Sequence, residues 1–271
     1  MPDRVRLDVL LAEKDYFLSR SKAKRAIMAG KVYVNDEKVD KAGTQVKKDD
    51  RIEVRGERLP FVSRGGLKLQ KALKVFSVKP EEKKVIDVGA STGGFTDCLL
   101  QSGAEKVYAV DVGYGQLAWK LRQDDRVEVI ERTNFRYLTP EDLSITVPLI
   151  VIDVSFISLR LIIPSAVKFL ADKGDIIALI KPQFEAGRER LGDGGVVRDS
   201  TLHCDILREL IPLYGKESLE VKGIEYSPIK GASGSNIEFL IHLQKKRNPG
   251  NKVKEIYEMI DRVVESAHQE L

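Results

Sequence analysis

With 271 residues, 42 % apolar and 32 % charged, the chain is long enough for two domains or one large α/β domain, and either buries a proper core. No apolar run approaches the roughly 20 residues of a membrane-spanning helix, the start Met1-Pro2-Asp3-Arg4-Val5-Arg6 holds no secretory-signal core, and two cysteines, Cys98 and Cys204, make no disulfide scaffold. Both cysteines read as reduced core residues of a cytoplasmic protein, and the +4 charge is uneven: residues 1–64 carry 16 Lys+Arg against 11 Asp+Glu, net +5, and the remainder is at −1, which puts an anchor for polyanions at the front.

Val5 to Leu18 has apolar residues at 5, 7, 9, 10, 11 and 18 and reads as a helix. Ser19-Arg20-Ser21 supplies an N-cap for a second helix over Lys22 to Ala29, which Gly30 ends. Lys31 to Asp36 alternates like a strand running into a turn, Val39 restarts it, and Asp50 to Val54 reads as a further strand. The run from Ser19 through Gly30-Lys31-Val32-Tyr33-Val34-Asn35 to Val39 resembles the S-four-type RNA-binding domain, a small α+β fold. That resemblance implies that the second helix lies along an RNA backbone, with Arg20, Lys22, Lys24, Arg25 and Lys31 on phosphates. A solvated basic helix face is the alternative. Arg58-Leu59-Pro60 reads as a linker, around residues 58–64, between domains 1–60 and 61–271.

From Lys84 strands and helices alternate: Val85 to Val88, helix 95–102, Val107 to Val112, helix 115–123, Val127 to Ile130, Leu149 to Asp153, helix 159–171 and Ile176 to Ile180. This order predicts a parallel α/β sheet of the Rossmann-like kind. Leu219 to Tyr226 and Ile237 to Leu243 follow with no helix between them and predict an antiparallel closing pair, and the tail from Lys252 reads as a terminal helix.

Asp87-Val88-Gly89-Ala90-Ser91-Thr92-Gly93-Gly94-Phe95-Thr96 delivers a carboxylate and a glycine-rich turn from a strand to a helix start, where α/β sheets bind ligands. The third position after Gly89 is Thr92, so the dinucleotide fingerprint is incomplete, and no Gly-Lys-Ser/Thr follows, so a P-loop is excluded. The turn resembles instead the first motif of class I S-adenosylmethionine methyltransferases. In that setting Asp111 ends the second strand, before Val112, where a carboxylate takes both ribose hydroxyls; a helix cap before Gln116 is its structural alternative.

Asp153 and Lys181 end the next two strands and point into the same mouth. A lysine ending the apolar strand Ile176 to Ile180 is costly unless paired or lowered in pKa, although it can also snorkel at the sheet edge. Methylation of a hydroxyl needs a base, a task open to a lysine kept partly neutral. A second cation nearby depresses its pKa and carboxylates orient it; Lys68, in Arg64-Gly65-Gly66-Leu67-Lys68, and Glu238, in Asn236-Ile237-Glu238, are of the right types. Lys68, Asp153, Lys181 and Glu238 resemble, in order and local motif, the Lys-Asp-Lys-Glu tetrad of FtsJ-like ribose 2′-O-methyltransferases. With the front domain, the whole chain is similar to the TlyA, or haemolysin A, family. The resemblance implies S-adenosylmethionine as cofactor and 2′-O-methylation of cytidine in ribosomal RNA. It assigns Lys181 as base, Lys68 as electrostatic support, Asp153 a place near the transferred methyl and Glu238 the orientation of Lys181. One departure is visible, since Ser91-Thr92-Gly93-Gly94 stands where that family commonly has Pro-Gly-Gly.

Other classes lack their residues. A base-nitrogen methyltransferase calls for Asn/Asp-Pro-Pro-aromatic where Asp153-Val154-Ser155-Phe156 stands, and a carbon-directed cytosine enzyme for Pro-Cys. Pseudouridine synthases need Gly-Arg-Leu-Asp, and Arg6-Leu7-Asp8 follows Val5 in the front helix. A membrane-lytic protein would need an amphipathic membrane helix, and the Lys/Glu-mixed stretch Val253 to Leu271 reads as a surface helix. His203, His242 and His268 lack metal-ligand spacing. A non-catalytic RNA-binding factor that keeps the cofactor fold is the remaining alternative.

Overall fold

The computed structural model describes residues 4–14, 16–17, 20–55, 60–231, 236–247, 249–250 and 252–271, and divides into two units, Met1–Pro60 and Phe61–Leu271. The expected N-cap Ser19, the linker residues Arg58 and Leu59, and Ser235 lie outside the described residues.

In the front unit β1 (Arg4–Arg6) leads into α1 (Leu7–Glu13), then α2 (Arg20–Met28), β2 (Val32–Val34), β3 (Glu37–Val39), β4 (Gln45–Lys47) and β5 (Ile52–Val54). The single helix expected from Val5 is therefore a strand followed by a helix. Arg4-Val5-Arg6 alternates with period two and pairs antiparallel with β4, Val5 opposite Val46, so the strand ladder claims Val5 before the helix begins. β2 is the centre of a three-stranded sheet flanked by β3 and β5. Leu7, Leu10 and Leu11 of α1 meet Ala23 and Ile27 of α2 over Val32, which makes a small core.

The second unit runs α3 (Gly65–Val75), β6 (Lys84–Val88), α4 (Gly94–Gln101), β7 (Lys106–Val110), α5 (Trp119–Arg122), β8 (Val127–Ile130), α6 (Pro140–Leu143), β9 (Val147–Ile152), α7 (Leu159–Phe169), β10 (Leu170–Ile180), α8 (Pro182–Glu185), α9 (Ser200–Lys216), β11 (Leu219–Tyr226), β12 (Phe239–Lys245) and α10 (Val253–Glu270). Its sheet has the order β11-β12-β10-β9-β6-β7-β8, parallel except where β12 pairs antiparallel with β10 and β11. β9 reads Val-Pro-Leu-Ile-Val-Ile and is buried on both faces, as a central parallel strand must be. Alternate residues feed two cores: Ile86, Ile150 and Ile152 on one face, Val85, Leu149 and Val151 on the other.

Three boundaries differ from the periodic reading. The helix expected over 115–123 shrinks to α5, because Gly115 at φ +70 and the extended Ala118 keep the chain out of helical space until Trp119. β10 starts at Leu170, directly after α7, and slips register before Asp175. The 17-residue α9, with Pro212 inside it, goes unpredicted as an element. Cys98 is buried, whereas Cys204 on α9 is only half-buried, at the rim of the groove toward α10 rather than in the core.

Candidate active site

Strand register builds the mouth. Val88 lies opposite Val110 on one side and Ile152 on the other, and Ile152 opposite Ala178 of β10. Gly89, Asp111 and Asp153 therefore leave their strands at one level, and Lys181 follows β10 close by. Chain order reverses between β6 and β9, and in open α/β sheets the crevice at such a point takes the ligand. Ile180 pairs with Phe239 in the antiparallel ladder, so Glu238 enters β12 beside Lys181 in the backbone.

The four tetrad residues meet as two ion pairs. Lys181 Nζ lies 2.7 Å from Asp153 Oδ1, and Lys68 Nζ, on α3, donates to Glu238 Oε2 at 2.6 Å. Lys68, Lys181 and Glu238 are buried. The sequence reading had Glu238 orient Lys181; the structure gives that carboxylate to Lys68 and supplies Lys181 with Asp153. Backbone adjacency is thus a poor guide to the partner, since the Lys68–Glu238 bond spans 170 residues and depends on where α3 packs.

Around the glycine turn each expected residue has a definite place. Asp111 accepts from the amides of Ser91 at 2.8 Å and Gly113 at 2.7 Å, which fixes the turn after β6 against the turn after β7. Gly89, at φ +86, passes so close to β9's end that a Cβ would come within 2.5 Å of the Asp153 carbonyl oxygen, and Gly93, at φ +97, would press on Leu117 and Leu121. Gly94, Phe95 and Thr96 open α4, where first-turn amides lack helical partners. The Phe95 side chain packs in the core, and the Thr96 hydroxyl donates to Asp87 Oδ2 at 2.6 Å. Asp87 is fully buried, its Oδ1 has no hydrogen-bond partner among the described residues, and burial pushes its carboxyl up to about 7, with the charges of Asp153 and Asp111 adding to the rise and Thr96 opposing it. Ser91 and Val112 are exposed at the rim and Thr92 half-buried.

This donor set fits S-adenosylmethionine. A leftover buried carboxylate oxygen, a carboxylate held between two turns, an open rim with exposed Val112 and Tyr114, and helix-start amides match an ammonium, ribose hydroxyls, a planar base and a carboxylate. Among the described residues no group of three or more His, Cys, Asp and Glu is arranged to hold a metal.

Residues that sequence reasoning missed gather on the loop after β9 and on α8. Ser155 Oγ accepts from Lys181 Nζ at 2.8 Å. Phe156 is 91 % exposed at φ +63 and faces Phe184, ring centroids 5.1 Å apart. Glu185 accepts from Ser158 Oγ at 2.5 Å and the Leu159 amide at 2.8 Å, and burial pushes its carboxyl up. The only signal for Glu185 was its spacing of four from Lys181.

In the front unit Lys24, Arg25 and Lys31 are exposed, and Lys22 is half-buried with its ammonium pushed down by burial. Arg20 is committed on one side: its Nε donates to Asp8 at 2.9 Å, and Arg6 grips the same carboxylate through two nitrogens at 3.0 and 3.1 Å. The Arg6-Leu7-Asp8 triplet, set aside as a rival motif, is thus the unit's buried ionic knot.

Comparison with known proteins gives the same division. Residues 61–245 match the FtsJ-like methyltransferase family and residues 5–52 the S4 domain. Over 98 % of its length the chain is 55 % identical to YqxC of Bacillus subtilis, a candidate rRNA methyltransferase of which it covers 95 %. It is 39 % identical, over 97 % of its length and 98 % of the relative's, to the 16S/23S rRNA (cytidine-2′-O)-methyltransferase TlyA of Mycobacterium tuberculosis. A solved structure described as a candidate hemolysin from Streptococcus thermophilus is 48 % identical and superimposes with a TM-score of 0.78, covering 100 % of this chain and 98 % of that one. Sheet order and the carboxylates at its mouth define a methyltransferase domain behind a small S4 domain. The chain belongs to the FtsJ-like methyltransferase family.

Proposed function

We propose that this protein transfers a methyl group from S-adenosylmethionine to the ribose 2′-hydroxyl of a cytidine in ribosomal RNA. One observation carries the reading: a buried lysine, Lys181, follows β10 at the strand-end mouth with the Asp153 carboxylate against its Nζ, and a second ion pair, Lys68–Glu238, forms at the start of the neighbouring β12. An alcohol is a poor nucleophile until its proton is taken, and a positioned amine contributes about 10²–10⁴-fold by taking it.

S-adenosylmethionine, when bound, supplies an electrophilic methyl on a sulfonium. Asp111 and the turn Gly89 to Gly94 would hold it, with Asp87 beneath. Lys181 accepts the hydroxyl proton, Asp153 stabilises the resulting ammonium, and the Lys68–Glu238 pair adds a fixed positive end opposite. Lys24, Arg25 and Lys31 would sit on RNA phosphates, while Arg20, turned partly toward Asp8, keeps its outer nitrogens for the same use. The identity of the base rests on the relatives named as cytidine enzymes. Among the described residues no helix is long and apolar enough to cross a membrane, so the hemolysin names of relatives find no spanning helix here.

The test is tritiated methyl transfer to ribosomal subunits from an unmodified strain. Label in 2′-O-methylcytidine, reduced at least about 100-fold by Lys181→Ala, is the expected result. Label at a base atom overturns the ribose assignment, and no label on any RNA makes the protein a binding factor.

A further inference from the structure

Resting on Lys181 as the proton acceptor, we infer that Ser155 is a positioning residue for that lysine, fixing the direction from which the substrate hydroxyl must approach. Among the described residues Lys181 Nζ has two partners, Asp153 Oδ1 at 2.7 Å and Ser155 Oγ at 2.8 Å. Both stand on the loop that follows β9, two residues apart.

A neutral amine has two N–H bonds and one lone pair in tetrahedral array. Ser155 takes one N–H in a hydrogen bond, and the Asp153 carboxylate, at ion-pair distance without hydrogen-bond geometry, repels the lone pair, so the lone pair turns to the remaining direction. With Asp153 alone, rotation about the Cε–Nζ bond leaves the lone pair and the second N–H interchangeable, and the productive orientation becomes one among several. Ser155 thus selects one face of the amine. On transfer, the hydroxyl proton passes to that lone pair as the ribose oxygen bonds to the methyl carbon. The carbon–sulfur bond breaks with its electrons left on sulfur, and the ammonium formed keeps donating to Ser155 beside the Asp153 carboxylate.

A serine on a mobile loop would fix nothing, and this loop is fastened. Glu185, on the short helix that Lys181 opens, is buried and accepts both Ser158 Oγ and the Leu159 amide at the far end of the Ser155 loop. The segment bearing the base and the segment bearing its hydroxyl acceptor are tied by one carboxylate. Between them Phe156 sits at φ +63, a conformation that persists only where the surroundings impose it. Ser155 itself is exposed, so its hydroxyl can be changed without opening a hole in the core.

The experiment compares full-length wild type, Ser155→Ala, Ser155→Thr and Lys181→Ala in steady-state methyl transfer from S-adenosylmethionine to ribosomal subunits, with melting temperatures to confirm folding. Ser155→Ala is expected to lower kcat about 10- to 100-fold while KM for RNA stays within about twofold. The ascending limb of its pH–rate profile moves to lower pH, because a lost acceptor disfavours the ammonium, and Ser155→Thr, which keeps a hydroxyl, restores most of the rate. Wild-type kcat in Ser155→Ala overturns the inference while leaving Lys181 as base. So does an equal loss in both serine variants with an unmoved pH profile, which would make Ser155 part of the loop's shape only. Full activity in Lys181→Ala overturns the base assignment itself, and the inference with it.

Discussion

Asp8 in the front unit and Asp87 in the second are the same residue type, each buried at the junction of a strand and a helix, and their carboxyls are driven in opposite directions. The Arg6 guanidinium beside Asp8, helped by Arg20, holds its carboxyl down at about 2 against the pull of burial. Asp87 has a hydroxyl and an orphan oxygen for company, with two further carboxylates nearby, and burial lifts it to about 7. Burial weighs far more on Asp87 than on Asp8, and only Asp8 has guanidiniums against it; depth and cations together set the sign. A carboxylate that folding has fully paired is part of the scaffold. One left short of partners costs stability and is kept for something that binds later.

The largest expected effect breaks the paired case. Asp8→Ala leaves two guanidiniums, each about half exposed, without the buried carboxylate that holds them; water reaches both, so the cost is about 3 kcal/mol, the low end for breaking a buried pair. Hydrogen exchange on the full chain should show residues 4–55 losing protection while the second unit keeps it. Acid does the same more gently. Asp8 has its folded value below the unfolded one, so its contribution is present above pH 4 and fades as pH falls through about 2, roughly 2 kcal/mol in all. Equal protection in Asp8→Ala and wild type would mean that the knot is incidental.

Asp87 carries the opposite sign. Its folded value is raised, so its contribution is fully present below about pH 4 and is lost as pH rises through about 7. Asp87→Asn, neutral at every pH, should match wild type at pH 4, exceed it at pH 8, and bind S-adenosylmethionine at least about tenfold more weakly. Denaturant titrations at the two pH values, with calorimetric binding, check this. A variant less stable than wild type at pH 8 would place Asp87 with Asp8 among structural carboxylates.

The contrast between the two units also marks what the sequence discloses. Asp111, Asp153 and Lys181 were legible because each closes an apolar run of strand length, and Asp87 because it stands one residue before the end of its run; parallel register then brings strand ends to one level whatever the helices do. Lys68 and Glu238 were legible by type and by likeness, but their pairing was not, because that bond depends on how α3 lies on the sheet. Asp8 escaped because a three-residue strand and a helix share apolar spacing over Val5 to Leu11, and the helical period fits both. Ser155 and Glu185 escaped because a loop and a four-residue helix are too short to show a period: their roles follow from what two segments do to each other in space.

Phe156 gives the smallest shift and the finest cut between scaffold and site. It is 91 % exposed, so truncating its ring removes little buried surface, yet its backbone stands at φ +63, where a bulky residue is strained and glycine is not. Phe156→Gly should therefore raise stability or leave it unchanged, by up to about 1 kcal/mol, a gain limited by the extra freedom glycine brings to the unfolded chain. Methyl transfer should fall nonetheless, because an exposed aromatic beside Lys181, next to a second ring at Phe184, offers an extruded base a stacking surface worth about 1–3 kcal/mol. The split is measurable as a melting temperature at or above wild type together with a raised KM for RNA. A lower melting temperature with unchanged KM would mean that Phe156 is held in its strained conformation by the fold's needs rather than by those of the substrate.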